Sequence, residues 1–351
     1  MRCRTLALAG AYGAAIAACL SLEGVSGDDQ AAPDAGTEAE ADAVGDGGIG
    51  VTDAGPDGAC ALDCGLGTCE QGVCRAFVVA HSAAKIDDLV CDGDGALYWT
   101  SSNVLKKKIW SSNDPPVSLA TDAVKIAVDA THVYFVSGDA KKLERAPKIA
   151  GNTEGVFALA PDGGGFHRIA VADKVYTSLL DPGAVDSFEK MANVGSPTST
   201  IAANNPQAVA ADGTGLYYFD YSGGLHHKEP TGANVVISVG VGADPSTVIA
   251  LDDAGPAWLA DGRAVVRLDL ATNAVTKLTT TAARGVALGE TMAYVVFDDS
   301  IVALAKDGTG ASVVIASAQS QPRTVVVCPR AVAWIAGDVA PNVEAVMAVA
   351  R

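Results

Sequence analysis

Seven copies of one phrase run through this chain: an apolar strand, a turn, a second strand holding an aromatic pair or its remnant, then a third strand. The copies centre on Leu97-Tyr98-Trp99-Thr100, Val133-Tyr134-Phe135-Val136, Val175-Tyr176-Thr177-Ser178, Leu216-Tyr217-Tyr218-Phe219, Pro256-Ala257-Trp258-Leu259, Ala293-Tyr294-Val295-Val296 and Val332-Ala333-Trp334-Ile335. Their spacing of roughly 36 to 42 residues is the period of a four-stranded blade in a β-propeller. The fifth copy shows all four strands: Thr247 to Leu251, Ala257 to Ala260, Ala264 to Leu268 and Ala274 to Leu278, parted by Asp-Gly and Thr-Asn turns.

The seventh copy supplies Thr324 to Val327, Ala331 to Ile335 and Glu344 to Val349, with no fourth strand before Arg351. A strand that belongs to no repeat, Ala76-Phe77-Val78-Val79-Ala80, lies before the first copy. Open sheet edges invite aggregation, so the pattern predicts that this segment completes the last blade and closes the ring. The expected fold is all-β, a seven-bladed propeller over 75–351, preceded by a signal peptide (1–18), a disordered acidic linker (19–59) and a cysteine-rich stub (60–74). Innermost strands such as Val124 to Val128, Gln207 to Ala211 and Gly285 to Leu288 are rich in small and branched residues, as a crowded axis requires. Tyr98, Tyr134, Tyr176, Tyr217 and Tyr294 fill the wider space between blades, as core and not as a sugar-stacking platform.

Cys60, Cys64, Cys69 and Cys74 crowd one glycine-bearing stretch. Two disulfides are expected there, with all three connectivities open; the spacing lacks the close Cys-x-x-Cys pairs of zinc sites. Cys91 and Cys328 end the first strands of the first and seventh copies, which are neighbours in a closed ring. A bridge between them requires Cα atoms within about 7 Å and would stabilise the closure by roughly 2 to 4 kcal/mol; two buried free thiols are the alternative.

Arg2 and Arg4 precede an apolar stretch from Leu6 to Ala18 that is too short to span a bilayer, the pattern of an export signal. Ile16-Ala17-Ala18-Cys19 resembles the bacterial lipobox, with isoleucine where leucine is usual. The resemblance implies a lipoprotein acylated on Cys19, and Leu20 after it points by the sorting pattern to the outer membrane or cell surface. An ordinary peptidase cut in the same stretch is the alternative, and either version exports the chain. From Leu20 to Ala59 there are ten Asp or Glu and no Lys or Arg, which reads as a solvated stalk.

Much of the net charge of -17 therefore sits outside the repeats. Nucleic acid is excluded as a partner because the basic clusters are no larger than Lys106-Lys107-Lys108 and Lys141-Lys142, which are expected to decorate an exposed strand. Leu97-Tyr98-Trp99-Thr100 with Lys108-Ile109-Trp110, and Val133-Tyr134-Phe135 with Leu143-Glu144-Arg145, resemble the blade signature of YWTD-type propellers of lipoprotein-receptor ectodomains. Ser101 and Ser137 stand where that signature ends in aspartate. The resemblance implies a habit of binding protein ligands. The stub resembles half of an EGF-like module.

Asn103, Asp139, Asp181, Asp220, Asp261, Asp298 with Asp299, and Asp338 follow the second strands. These are tight-turn formers that would also share one face of a ring, where carboxylates receive a basic partner. Asp92, Asp129, Asp212 and Asp252 end first strands on the opposite face; Asp92-Gly93-Asp94-Gly95 is the weak calcium candidate, and no cofactor is otherwise expected. His226-His227 is expected at the surface, its rings pointing to opposite faces of a strand. No Gly-x-Ser-x-Gly, His-Glu-x-x-His or phosphate-binding glycine loop is present. The expected function is a non-enzymatic binding or scaffolding module for an envelope or extracellular protein, membrane-linked only through lipid. A hydrolase or lactonase with a divalent metal at the channel mouth is the alternative, and a lectin with Trp110 and Tyr221 as exposed shelves is the third reading.

Overall fold

The computed structural model describes residues 64–70, 73–149, 153–190, 196–229, 232, 234–238, 247–252, 257–309 and 311–351; the signal peptide, Cys19, the acidic linker and Cys60 lie outside the described residues. Among the described residues there is no helix. Seven four-stranded antiparallel sheets follow one another. Blade 1 holds Ile86–Cys91, Ala96–Ser101, Val104–Ile109 and Val117–Thr121, and blade 2 holds Ala123–Val128, His132–Ser137, Lys142–Pro147 and Gly155–Leu159. Blade 3 holds Phe166–Val171, Val175–Leu179, Ala184–Phe188 and Ser199–Ala202, and blade 4 holds Ala208–Asp212, Gly215–Phe219, Gly224–Lys228 and Asn234–Ser238. Val248–Leu251, Ala257–Ala260, Val265–Asp269 and Ala274–Lys277 form blade 5; Gly285–Leu288, Met292–Val296, Ile301–Ala305 and Val313–Ala316 form blade 6.

Blade 7 takes Arg323–Cys328, Ala331–Ala340 and Val343–Ala350 from the C-terminal part and Phe77–Ser82 from the N-terminal part. Phe77 lies opposite Ala348 and Ser82 opposite Glu344, so the early strand is the fourth strand of the last blade. First strands of successive blades neighbour one another all the way round, blades 7 and 1 included, and the ring is closed.

Second strands are buried on both faces, as Ala96–Ser101 and Gly215–Phe219 are throughout, which is why they read as unbroken apolar and aromatic runs. Trp99, Trp258 and Trp334 are fully buried, each contributing on the order of 1.5 to 3 kcal/mol by burial. Tyr98, Tyr134, Tyr217 and Tyr294 are core residues, while Tyr176 is half-buried. The core is uneven. One cluster runs through blades 6, 7 and 1 and includes Val79, Trp99, Trp334 and Cys328, whereas at the seam between blades 3 and 4 the buried cluster among the described residues is Val185, Leu216 and Tyr218.

On the lower face, where first strands turn into second strands, an aspartate repeatedly grips a lysine of the next blade. Asp92 meets Lys148 at 3.0 Å, Asp129 meets Lys190 at 3.2 Å and Asp252 meets Lys306 at 2.8 Å. Each lysine stands just beyond the third strand of its blade. In the first two clasps a second-strand tyrosine hydroxyl also donates to the same carboxylate, Tyr98 to Asp92 at 2.9 Å and Tyr134 to Asp129 at 3.2 Å. Between blades 7 and 1 a disulfide stands at that place, joining Cys91 to Cys328 with Cα atoms 5.6 Å apart.

The chain enters the ring from this lower face. The stub pairs Cys69–Glu70 with Val73–Cys74, Cys64 is bonded to Cys74 at a Cα separation of 5.3 Å, and Cys69 is disulfide-bonded too. It covers Trp110, whose ring lies 6.1 Å from that of Phe77. Gly65, at φ 62°, sits so close that a Cβ there would come within 2.4 Å of the indole. Trp110 is therefore buried and offers no exposed shelf for a sugar, because the stub covers the very face such a shelf would use.

Three further expectations are corrected. Lys106 to Lys108 are half-buried between blades: Lys107 Nζ donates to the Lys148 carbonyl at 2.9 Å and lies over the Tyr98 ring, and Lys108 Nζ donates to the Val79 carbonyl at 2.9 Å. His226 and His227 do point to opposite faces, yet each is half-buried and stacked, on Tyr218 at 4.4 Å and on Tyr217 at 4.3 Å. Asp338 falls inside the extended strand Ala331–Ala340, not in the hairpin turn.

Candidate functional site

The innermost strand carries a one-residue bulge near its start in blades 1, 2, 3 and 7, where Asp87, Val124, His167 and Thr324 are the extra residues. Blades 4, 5 and 6 pair without interruption there. A bulge re-aims the side chains that follow it. Here it brings polar groups to the upper end of the axis, and they reach across to neighbouring blades. Arg323 Nη2 donates to the Ile86 carbonyl at 2.8 Å and to Glu344, whose carboxylate also accepts the Ile86 N–H at 2.5 Å. Asp88 accepts the N–H groups of Leu89 at 3.0 Å and Ile126 at 3.1 Å. Thr100 Oγ1 donates to the Val124 carbonyl at 3.0 Å, and Arg168 Nε to the Gln207 carbonyl at 3.3 Å.

Outside this inner ring runs a rim made of the turns between second and third strands and the connections between blades. Asn103, Asp122, Asp139, Asp162 and Asp181 are exposed along blades 1 to 3. They are linked through backbone. The Ala123 N–H donates to the Asn103 carbonyl at 2.9 Å, the Gly138 N–H donates to the Asp122 backbone carbonyl and to Asp122 Oδ1, both at 3.0 Å, and the Phe166 N–H donates to the Ala140 carbonyl at 2.8 Å. Gly138 permits the approach, since a Cβ there would lie 2.7 Å from Asn103 Nδ2 and from Asp122 Oδ1. Lys141, the cation of this stretch, is turned onto the Gly164 carbonyl. The rim continues through Ala203 and Asn204, whose partners are Gly183 and Tyr221 at 3.0 and 2.9 Å.

Charge accumulates on this arc. Burial pushes the Glu144 carboxyl pKa up; Lys142 opposes the shift, and Asp122 and Asp139 add to it. The Ser137 hydroxyl and the Lys141 N–H hold Asp139 below the usual carboxylate range, so it stays ionised. At the end of the rim Leu180 and Tyr221 are apolar and uncovered, 41% and 62% exposed.

Not every turn residue predicted for this face reaches it. Asp220 is buried, accepting the N–H groups of Ser222 and Gly224 and pairing with His226 Nε2 at 2.9 Å. Asp261 is buried and accepts the N–H groups of Arg263 and Ala264 at 2.9 and 2.7 Å. Both act as turn formers, by the side-chain-to-backbone bonding that places Asp in hairpins. Asp298 and Asp299 are exposed in blade 6, Asp298 beside Arg284 at 2.9 Å. On the lower face Asp92 is engaged by the N–H groups of Asp94 and Ala96, the Tyr98 hydroxyl and Lys148, so its oxygens already serve protein donors. Among the described residues no three His, Cys, Asp or Glu side chains are grouped to hold a metal ion.

Asp122, Asp162 and the clasping lysines escaped the sequence reading. The lysines carry a signal, since each falls at one place in the repeat; the bulges carry none, because one extra residue in a strand leaves its composition unchanged.

No protein-family model matches the chain, and no curated protein matches it. Solved structures with this fold are many. A streptogramin B lyase superposes with a TM-score of 0.59 at 11% identity, over 76% of this chain and 94% of that one. Catalytically inactive virginiamycin B lyase from Staphylococcus aureus gives 0.62 at 9%, over 79% and 98%. U3-55K gives 0.66 at 12%, over 79% and 98%. At such identities the likeness is one of fold.

Proposed function

We propose that this protein is an exported, lipid-anchored propeller of the outer membrane or cell surface that binds a macromolecular partner through the acidic rim of blades 1 to 3. The carrying observation is the rim itself: Asp122, Asp139, Asp162 and Asp181 face solvent on one continuous arc that ends in exposed Leu180 and Tyr221. A basic protein surface with an apolar contact at one end complements it. At the axis, by contrast, Asp88, Glu344 and Arg323 are engaged in joining blades and offer little for chemistry.

The test is retention of envelope proteins on immobilised full-length protein at rising salt, for wild type and for Asp122→Lys/Asp139→Lys/Asp181→Lys. Basic proteins should bind the wild type, elute with salt and be lost from the variant. Undiminished retention by the variant would overturn the proposal.

A further inference from the structure

The lower face repeats one clasp, and the seam between blades 6 and 7 keeps its frame with glycine in the aspartate's place. Arg351 stands one residue beyond its third strand, Val343–Ala350, as Lys148 and Lys306 stand beyond theirs. All three make the same backbone bond within their own blade: the Lys148 N–H donates to the Thr131 carbonyl at 3.0 Å, the Lys306 N–H to Thr291 at 3.0 Å and the Arg351 N–H to Arg330 at 3.1 Å. Across the seam the Gly289 N–H closes the turn of blade 6 on the Met292 carbonyl at 2.8 Å, as the Asp129 N–H closes that of blade 2 on His132 at 3.0 Å. An arginine at the lysine position therefore faces a residue with no side chain.

The guanidinium crosses the seam as the lysines do. A Cβ on Gly289 would lie 2.8 Å from Arg351 Nη1 and 3.1 Å from the Tyr294 ring. Tyr294 is the counterpart of Tyr98 and Tyr134, whose hydroxyls donate to Asp92 and Asp129. It is 3% exposed, and its hydroxyl finds no acceptor among the described residues. Arg351 donates through Nε to the Cys328 carbonyl at 3.1 Å and through Nη2 to the Pro329 carbonyl at 3.4 Å, and it meets no carboxylate among the described residues. The Nη1 donors beside Gly289 remain unused there.

An open cavity of about 480 Å³ lies at this spot, walled by Gly289, Arg351, Leu251, Leu288, Val327 and the Cys91–Cys328 bridge. Asp92 and Asp252 also line it, but Lys148 and Lys306 hold them at 3.0 and 2.8 Å. Glu290, on the same wall, is exposed and forms no ion pair among the described residues.

We infer that the lower axial mouth binds a small organic monocarboxylate with an apolar body, whose carboxylate completes the clasp between Arg351 and Tyr294. Arg351 Nη1 and the Tyr294 hydroxyl donate to its oxygens, as lysine and tyrosine serve Asp92 and Asp129, and the aliphatic or aromatic remainder lies against Leu251, Leu288 and Val327. A second negative charge on the ligand would face Glu290, which disfavours dianions. The site is on the face opposite the acidic rim and stands or falls independently of any macromolecular partner.

Full-length protein with its disulfides intact is titrated calorimetrically with hexanoate, with benzoate, and with hexanamide as the neutral isostere. One-to-one saturation by either acid, at least about tenfold tighter than by hexanamide, is expected. No saturation by either acid, or equal affinity for the amide, overturns the inference. Gly289→Asp supplies the carboxylate from within, and the Gly289 backbone lies outside the left-handed region, so aspartate can adopt it. That variant should lose acid binding while its thermal midpoint holds or rises by about 1 to 3 °C; retained binding contradicts the assignment. If its midpoint falls instead, Arg351→Gln takes its place, with binding expected to weaken about tenfold to a hundredfold, and unchanged affinity there overturns the inference.

Discussion

Blades 7, 1, 2 and 3 form an arc unlike blades 4, 5 and 6. The first arc has bulged inner strands, polar side chains crossing from blade to blade, two Asp–Tyr–Lys clasps and the disulfide. The second has regular inner strands, apolar except for Asp212 at the end of the first, and among the described residues one clasp, Asp252 with Lys306. The exposed acidic rim rides on the reinforced arc. The difference shows where bonds between blades are concentrated: beneath the exposed carboxylates of blades 1 to 3, and at the seam where strands distant in sequence meet.

The widest gap between the arcs is expected from matched aspartates at the ends of first strands. Asp92 holds a buried ammonium, so Asp92→Ala should cost about 3 to 5 kcal/mol in urea unfolding. Among the described residues Asp212 in blade 4 accepts turn donors from Thr214 and Gly215, so Asp212→Ala should cost about 1 kcal/mol. Equal costs would erase the distinction. Cys328→Ala should lose roughly 2 to 4 kcal/mol, since the bond spans 237 residues and restrains the unfolded chain. A reducing agent, which also opens the stub disulfides, should lower wild-type stability by at least that amount and leave the variant less affected.

Acid should loosen the reinforced arc in two steps. His167 is held neutral with a pKa near 4 against an ordinary 6.5, so the unfolded chain binds the extra proton and stability falls as pH drops from about 6.5 to 4. Burial alone would raise the Asp129 pKa, but the N–H groups of Thr131 and His132 and the Lys190 ammonium overcome it and bring it to about 2 from 3.8. Its contribution is complete above about pH 4 and fades as pH falls towards 2. His167→Asn should remove the first step and Asp129→Asn the second, read from unfolding midpoints across pH. The smallest effect is expected from Thr100→Val, which deletes one bond to the Val124 carbonyl and should cost about 0.5 to 1.5 kcal/mol.

The ring was legible because its signals are periodic. Aromatic second strands recur at one interval, and the unassigned Phe77 segment matches the strand that the last repeat lacks. Turn chemistry was legible as well, since Asp220 and Asp261 do open hairpins. Which turn aspartates remain at the surface was not. Asp139 and Asp220 occupy like positions in the phrase, but only Asp220 has a histidine two residues into the next strand to draw its carboxylate inward. Likewise Trp110 reads as a free aromatic until the stub is folded over it. Long-range packing decides both cases.

The rim of the reinforced arc is the proposed contact surface. A photo-reactive residue placed at Asp139, and separately at Asp299 on the same face of blade 6, tests this in the producing cell. Cross-linking to a defined partner from position 139 and little from position 299 is predicted. Equal cross-linking from both, or cross-linking from position 299 alone, would contradict it.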